Sequence, residues 1–363
     1  LDDSVQFEAV IEHIRSLPGE FSVVAVTGEA VRAFRSVTST YDVFACRRPE
    51  DDAIVVGDHF GDVLSTLPGS ARTVSDTVPV DQLLFGCRPN ATYVDEVDRL
   101  GHGESLVWQR TEDAAPGTDL VDTLAPDVVL DPSRARDRLD DYLADVCSSL
   151  SSESVATMLS GGVDSALLHT YLATDESVSA AFDSPEFAYE VEYAREASEL
   201  LDASHDLLAY RERDYLHHLE SAIEATGHPL LLPQDAMLFL ALRDSPHDRL
   251  VNGGLADGLF GTGTAALGYL ARFLGPLGRV VPPVPDVLGT VGETATELRR
   301  PATAVDGCAL DFRIHADQAA VASMFGQDAV AERKRRRLEY TAARVPTISE
   351  RGYGSHMHLG HCI

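Results

Sequence analysis

Lysine is almost absent from this chain, since Lys334 is the only lysine among 363 residues. No Gly-x-x-x-x-Gly-Lys-Ser/Thr sequence occurs, which excludes the phosphate-binding loop of kinases and GTPases. No run of eighteen apolar residues occurs, so no membrane-spanning helix is predicted. The opening residues Leu1, Asp2 and Asp3 do not resemble the basic start of a signal peptide, and we therefore expect a cytoplasmic protein.

Cysteine is also scarce, and its spacing excludes several kinds of site. The five cysteines are Cys46, Cys87, Cys147, Cys308 and Cys362. No two of them form a Cys-x-x-Cys pair, which disfavours a zinc ribbon, an iron–sulfur site and a disulfide framework.

Acidic residues outnumber basic residues by 58 to 29, for a formal net charge of −29. Such a carboxylate surface with lysine removed resembles the proteins of salt-adapted (haloarchaeal) organisms. At ordinary salt this charge argues against a nucleic-acid partner. At molar salt the Debye length is only about 3 Å, so the net charge is then a poor guide to partners. We expect neither nucleic acid nor membrane as a partner. The basic run 333–337 is typical of a solvated helix face, and the alternative is a run that binds a phosphate or nucleic acid.

The stretch from Val155 to Ser165 organises the chain. It predicts a short buried strand, Val155 to Leu159, then a tight turn over 160–162, then a helix that begins near Asp164. Glycines in such a turn let backbone N–H groups approach a phosphate, and the helix dipole favours the negative charge. Asp164 would repel that phosphate without a cation between them, so it implies Mg²⁺. The alternative is a glycine turn that holds no ligand.

The sequence Ser-Gly-Gly-x-Asp-Ser after a strand resembles the PP-loop of the ATP pyrophosphatases. Those enzymes bind the β- and γ-phosphates of ATP, adenylate a substrate and release pyrophosphate. The resemblance therefore implies ATP and Mg²⁺ as cofactors.

Strand and helix patterns alternate after this loop. Strands are predicted at 178–182, 205–208 and 249–251, and helices at 190–201, 215–225 and 235–243, with Ser133 as the cap of an earlier helix. This alternation predicts an α/β fold, a parallel sheet with helices on both faces. Ligands of such sheets bind at the carboxyl ends of the strands, where Ser160 and Asn252 lie.

Residues 1–125 are predicted to form a smaller α+β domain, with strands at 21–26 and 52–56. The segment 83–103 resembles the end of the glutaminase domain of asparagine synthetases, whose nucleophile is an N-terminal cysteine. Position 1 here is Leu1, and no cysteine precedes Cys46. We expect a degenerate glutaminase-like domain over 1–125 that lacks the nucleophile, and an ATP-binding domain over 130–363.

Three later segments resemble asparagine synthetases and β-lactam synthetases. Residues 179–197 resemble the second strand of those enzymes and its following helix. Asn252-Gly-Gly-Leu-Ala-Asp-Gly-Leu-Phe-Gly261 resembles their motif Ser-Gly-Glu-Gly-Ala-Asp-Glu-Leu-Phe-Gly, and residues 346–354 resemble their late Arg-x-Lys-x-Gly-Phe. The resemblance covers about residues 130–360 and suggests an asparagine synthetase-like enzyme.

The resemblance implies a set of site residues. Asp164 and Asp257 are expected to hold Mg²⁺, and both are expected to be catalytic together with Arg351. The expected ATP contacts are Leu159, Ser160, Gly161, Gly162, Asp164, Ser165, Phe182 and Gly253. Two positions depart from the family. Gly254 replaces a glutamate or tyrosine of the family, and Glu350 occupies about the position of the lysine in the family's late motif. The neighbouring Arg351 can stabilise an anion but cannot act as a titrating base near pH 7.

The expected function is that of an ATP-dependent carbon–nitrogen ligase. By resemblance it adenylates a carboxylate, aspartate by default, and transfers it to ammonia or another amine, releasing AMP and pyrophosphate. The alternative is a non-catalytic ATP-binding pseudo-synthetase with a regulatory role. A tRNA-modifying PP-loop enzyme is disfavoured because Cys-x-x-Cys is missing. The expected partners are small-molecule carboxylate and amine substrates, with a homodimer or a separate glutaminase subunit.

Overall fold

The structure is a computed structural model. It describes residues 3–17, 19–28, 30–51, 53–85, 90–109, 117–123, 131–150, 154–227, 230, 235–254, 256, 303–305, 308–310 and 318–344. The packing of Cα atoms divides the chain into two compact units, residues 1–126 with 257–363, and residues 127–256. No helix in these ranges is long and apolar enough to cross a membrane.

The first unit contains two antiparallel sheets. One sheet has the order β1-β2-β6-β7 and the other the order β4-β3-β5. The strands are β1 (Ser22–Val26), β2 (Ala30–Arg35), β3 (Phe44–Arg48), β4 (Ala53–Gly57), β5 (Val97–Arg99), β6 (Glu104–Gln109) and β7 (Gly117–Leu120). The predicted strands at 21–26 and 52–56 are confirmed as β1 and β4.

An apolar core joins these two sheets face to face. Ala33, Leu106 and Trp108 of the first sheet pack with Ala45 of β3 and with Val43, which directly precedes β3. Along β2, Val31 and Ala33 face this core, whereas Phe34 packs on the opposite face with Phe7 and Ile11. The helices of this part are α1 (Asp3–Arg15), α2 (Phe60–Ser65) and α3 (Val78–Phe85). The glutaminase-like character expected for residues 1–125 stays a prediction.

The second unit contains one parallel sheet with the order β10-β9-β8-β11. Its strands are β8 (Val155–Met158), β9 (Glu176–Phe182), β10 (Ser204–Tyr210) and β11 (Arg249–Val251). The flanking helices are α4 (Pro132–Ser149), α5 (Val163–Tyr171), α6 (Ala188–Leu200), α7 (Tyr215–Thr226) and α8 (Asp235–Asp244). The predicted parallel sheet flanked by helices is confirmed. All four predicted strands and the helices between them are present, with small shifts at their ends.

The cap predicted for α4 was wrong. Asp131, not Ser133, caps this helix, because its carboxylate accepts hydrogen bonds from the backbone N–H groups of Ser133 and Arg134, both at 3.1 Å. An ionised side chain at this position also favours the positive end of the helix dipole.

Two late helices, α9 (Gln318–Phe325) and α10 (Gln327–Arg344), follow the hairpin of β12 (Thr303–Val305) and β13 (Cys308–Leu310) and belong to the first unit. Helix α10 lies against α3, where Arg333 Nε donates to Asp81 Oδ1 at 2.8 Å. Arg333 and Arg337 are only 7% and 5% exposed, so the interpretation of 333–337 as a solvated face was wrong for these two. A buried guanidinium requires partners, and Asp81 provides one for Arg333. The predicted domains 1–125 and 130–363 stay a prediction, and this packing divides the chain differently.

Candidate nucleotide-binding site

The turn Ser160–Gly162 joins β8 to α5 at the carboxyl edge of the parallel sheet. Gly161 has a φ of +79°, in the left-handed region that disfavours side chains. A Cβ at this position would lie 2.5 Å from the carbonyl carbon of Tyr193 and 2.6 Å from its oxygen. Both the backbone angle and the close approach of α6 therefore require glycine at position 161.

Two serine hydroxyls hold the turn in place. Ser165 Oγ accepts from the backbone N–H of Ser160 at 3.3 Å and donates to the carbonyl of Gly162 at 3.1 Å. Ser160 Oγ lies 3.2 Å from Ser165 Oγ and accepts from the Gly162 N–H at 3.3 Å. Ser165 is only 3% exposed, whereas residues 160–164 face solvent. Hydrogen bonds from the buried Ser165 and from Ser160 thus hold the exposed loop in one conformation.

The first turn of α5 presents backbone N–H groups at the mouth of this loop. The helix begins after Gly162, which has no side chain to cap it, and its first internal hydrogen bond runs from the Ala166 N–H to the Gly162 carbonyl at 3.2 Å. The preceding N–H groups of Val163, Asp164 and Ser165 therefore have no acceptor within the helix. Exposed N–H groups at the positive end of a helix dipole form an anion-binding site.

The turn after β11 lies against the same end of α5. A Cβ on Gly253 would lie 2.8 Å from Asp164 Cβ and 3.0 Å from the Ser165 nitrogen, so this approach also requires glycine. Asn252 Oδ1 accepts from the Gly254 N–H at 2.7 Å and closes the turn. The start of the segment 252–261 therefore meets the first turn of α5, as the predicted pairing of Ser160 and Asn252 at one sheet edge implies.

A buried hydroxyl–imidazole pair lies beneath the loop. Thr157 Oγ1 of β8 is 2.9 Å from His169 Nδ1 of α5, and both side chains are buried. Burial lowers the pKa of His169, although the nearby Asp175 opposes the shift, so the ring is neutral near pH 7. This pair connects the strand before the loop to the helix after it. Sequence reasoning missed it, although the helical period of α5 places His169 on the inner face.

Leu159 and Phe182 lie at the ends of neighbouring strands. Leu159 is buried, its N–H donates to the Val178 carbonyl at 2.9 Å, and its own carbonyl accepts from Ser179 Oγ. The Phe182 ring packs edge-to-face on Tyr215, with ring centroids 5.5 Å apart. Both predicted ATP contacts thus lie at the carboxyl edge of the sheet, and their role in ATP binding stays a prediction.

The predicted residues Asp257, Glu350 and Arg351 lie outside the described residues. Within the described ranges, no three acidic, histidine or cysteine side chains come together as a metal site. The groups that are present fit an anion, because the first-turn N–H groups of α5 and the exposed Ser160 hydroxyl lie together and form what we call the cradle. The close approaches at Gly161 and Gly253 hold this cradle against α6 and α5. The exposed carboxylate of Asp164 at the first turn suits a hydrated Mg²⁺ on such an anion.

Fold and site together define an α/β protein whose parallel sheet carries a glycine-containing strand–turn–helix unit at its carboxyl edge. The asparagine synthase family model matches residues 135–312, from α4 to beyond β13. This match supports an asparagine synthase-like, ATP-using synthetase. No curated protein matches the chain.

Proposed function

We propose that this chain is an ATP-dependent ligase that adenylates a carboxylate and passes it to an amine. By resemblance the acid is aspartate and the amine is ammonia or another amine, with release of AMP and pyrophosphate. The observation that carries the proposal is the pair of close approaches at Gly161 and Gly253, which shape an exposed cradle over the first turn of α5.

The cradle is suited to the β- and γ-phosphates of ATP. The N–H groups of Val163, Asp164 and Ser165 have no acceptor within α5 and would donate to the phosphate oxygens, together with the neighbouring Ser160 hydroxyl. Asp164 would hold Mg²⁺, with Asp257 as its predicted second ligand. Such a cation neutralises charge that builds on the phosphates during transfer. These groups would favour departure of pyrophosphate when a carboxylate oxygen attacks the α-phosphorus.

Two half-reactions follow from this assignment. In the first, the acid's oxygen bonds to the α-phosphorus and the bond to pyrophosphate breaks. In the second, the amine attacks the acyl carbon, AMP leaves with the acid's oxygen, and the amine loses a proton. Arg351 is the proposed cation for the negative charge that develops, since its guanidinium remains protonated.

The test is ATP–pyrophosphate exchange in molar KCl, with each candidate acid in turn. We expect acid-dependent exchange, and we expect Asp164→Asn to reduce it roughly a thousandfold, because a charged metal ligand stabilises the transition state by several kcal/mol. Asp141→Asn, an exposed carboxylate of α4, is the matched control and should keep full activity.

Measuring the melting temperature of each variant distinguishes a loss of catalytic activity from a loss of folding stability. Asp164 is exposed, so its replacement should leave the melting temperature unchanged. Exchange that survives Asp164→Asn would contradict the assigned role. ATP binding without exchange for any acid would instead favour the pseudo-synthetase.

A further inference from the structure

Two valines of β1 lie on the sheet face that carries the core between the two sheets, yet both are exposed to solvent. In the register of β1 with β2, Val24 lies opposite Ala33 and Val26 opposite Val31. Cross-strand partners share a face of the sheet, and Ala33 and Val31 belong to the core between the two sheets. Yet Val24 is 43% exposed and Val26 is 73% exposed. The intervening Val23 and Ala25 pack on the opposite face, against the helix α1 cluster.

A groove lies beside the first of these valines, Val24. It has a volume of 490 Å³ and runs between Val24 of β1 and Val56 of β4, with Phe21, Tyr41 and Val43 also in its wall. Strand β4 ends its sheet, since β3 is its one strand neighbour among the described strands. The described strands therefore leave the sandwich open along one side, where the inner apolar side chain of Val24 is 43% exposed.

The position of the valines indicates which edge strand, β1 or β4, an added strand would pair with. A strand added beside β1 would extend the first sheet and leave the inner face of Val24 and Val26 open. A strand added beside β4 would extend the second sheet across the groove, over the face of β1 that carries Val24 and Val26. Edge strands carry unpaired N–H and C=O groups that bind such a strand directly.

The rim of the groove is acidic, which favours a positively charged occupant. Glu20 and Asp58 are exposed at the groove, whereas Asp42 is paired with Arg35 and Arg99, each at 2.8 Å. Among the described residues of its wall, none is basic. A second copy of this acidic chain is thus a poor fit, and a basic segment is a good one.

We propose that this groove binds an extended, basic segment of a partner polypeptide, which adds to the edge of β4. Alternate apolar residues of the segment face Val24 and Val26, and its arginine or lysine residues lie near Glu20 and Asp58. The residues of this groove belong to the first unit, whereas the Ser160–Gly162 turn belongs to the second.

The probe is a fluorescein-labelled decapeptide of alternating valine and threonine with arginine at both ends, titrated into the full chain and followed by anisotropy. We expect saturable binding, weakened at least tenfold by Val24→Asp or Val26→Asp. Val74→Asp is the matched control, since Val74 is 70% exposed in the same unit and lies outside the groove. Val26→Thr keeps the strand-favouring shape and serves as the second variant if an aspartate impairs folding.

Two modified peptides test the mode of binding. N-methylation of alternate peptide nitrogens should abolish binding by removing the donors to β4, and glutamate in place of the arginines should weaken it at least tenfold. The proposal is overturned if the parent peptide does not bind, or if the N-methylated peptide binds equally well. It is also overturned if the chain self-associates in sedimentation and Val26→Asp abolishes that association, because the occupant is then a second copy.

Discussion

Replacing Gly161 with alanine tests the cradle most sharply, because two independent features oppose a side chain there. The positive φ of +79° costs an L-residue roughly 1–2 kcal/mol. The new Cβ would also overlap the Tyr193 backbone at 2.5 Å, and overpacking of this kind costs about 1–3 kcal/mol. The total cost of the alanine side chain is therefore about 2–5 kcal/mol, and it appears as a loss of folding stability, of ligand-binding free energy, or of both.

The exposed loop can relieve the overlap by moving away from α6. The backbone of α6 is fixed by its own hydrogen bonds, so the loop is the part that shifts. That movement breaks the contacts of Ser160 and Gly162 with Ser165, and it misplaces the donors for phosphate. We expect ATP affinity to fall by roughly ten- to thirtyfold, since about 1.4 kcal/mol corresponds to a tenfold change, and we expect the melting temperature to fall by the part of the cost that binding does not take.

The assay is calorimetric titration with ATP and Mg²⁺, with thermal unfolding measured on the same samples. Gly69→Ala is the control, because a Cβ at Gly69 meets nothing within 4 Å. Gly162→Ala gives a second comparison within the loop, where φ is −80° and the nearest contact is Ser160 Oγ at 3.3 Å. If Gly161→Ala binds ATP and melts like the parent protein, the proposed geometry of the loop is incorrect.

Three further predictions concern buried polar groups. Thr157→Val leaves the buried His169 ring without its hydroxyl partner and should lower the free energy of unfolding by about 1–3 kcal/mol in urea titrations, while Thr157→Ser should restore most of it. Burial lowers the pKa of His169, and burial with nearby arginines lowers that of His102 well below its usual value. The unfolded chain therefore binds more protons, and urea titrations should show stability lost as the pH falls below about 6.5 but no histidine contribution above it. Asp81→Ala leaves the Arg333 guanidinium buried and should cost about 3–5 kcal/mol in the same titrations, whereas joint replacement by Asp81→Leu and Arg333→Leu should cost much less; equal losses for the single and joint changes would contradict this.

Local patterns were sufficient to predict the parallel sheet and the loop. The strand before Leu159 is a continuous buried run, and the glycines at 161 and 162 mark the turn without any long-range contact. The cap of α4 was less certain from sequence, because Asp131 and Ser133 are both good caps and only the hydrogen bonds distinguish them.

Long-range partners account for what the sequence did not predict. Arg333 lies in a basic run that looks solvated, and its partner Asp81 is 252 residues away in the chain. The exposure of Val26 likewise depends on where a different sheet ends, which no pattern within β1 records. The assignments of Asp257 and Arg351 came from family resemblance and stay predictions.

The central claim is that a carboxylate is activated by adenylation, and the fate of its oxygen tests this directly. The measurement uses an ¹⁸O-labelled acid that supports pyrophosphate exchange, together with ATP, Mg²⁺ and ammonia, and determines the mass of the nucleotide product. Attack of the carboxylate on the α-phosphorus predicts AMP that carries one ¹⁸O atom from the acid. Unlabelled AMP, or ADP with labelled phosphate, would contradict the account.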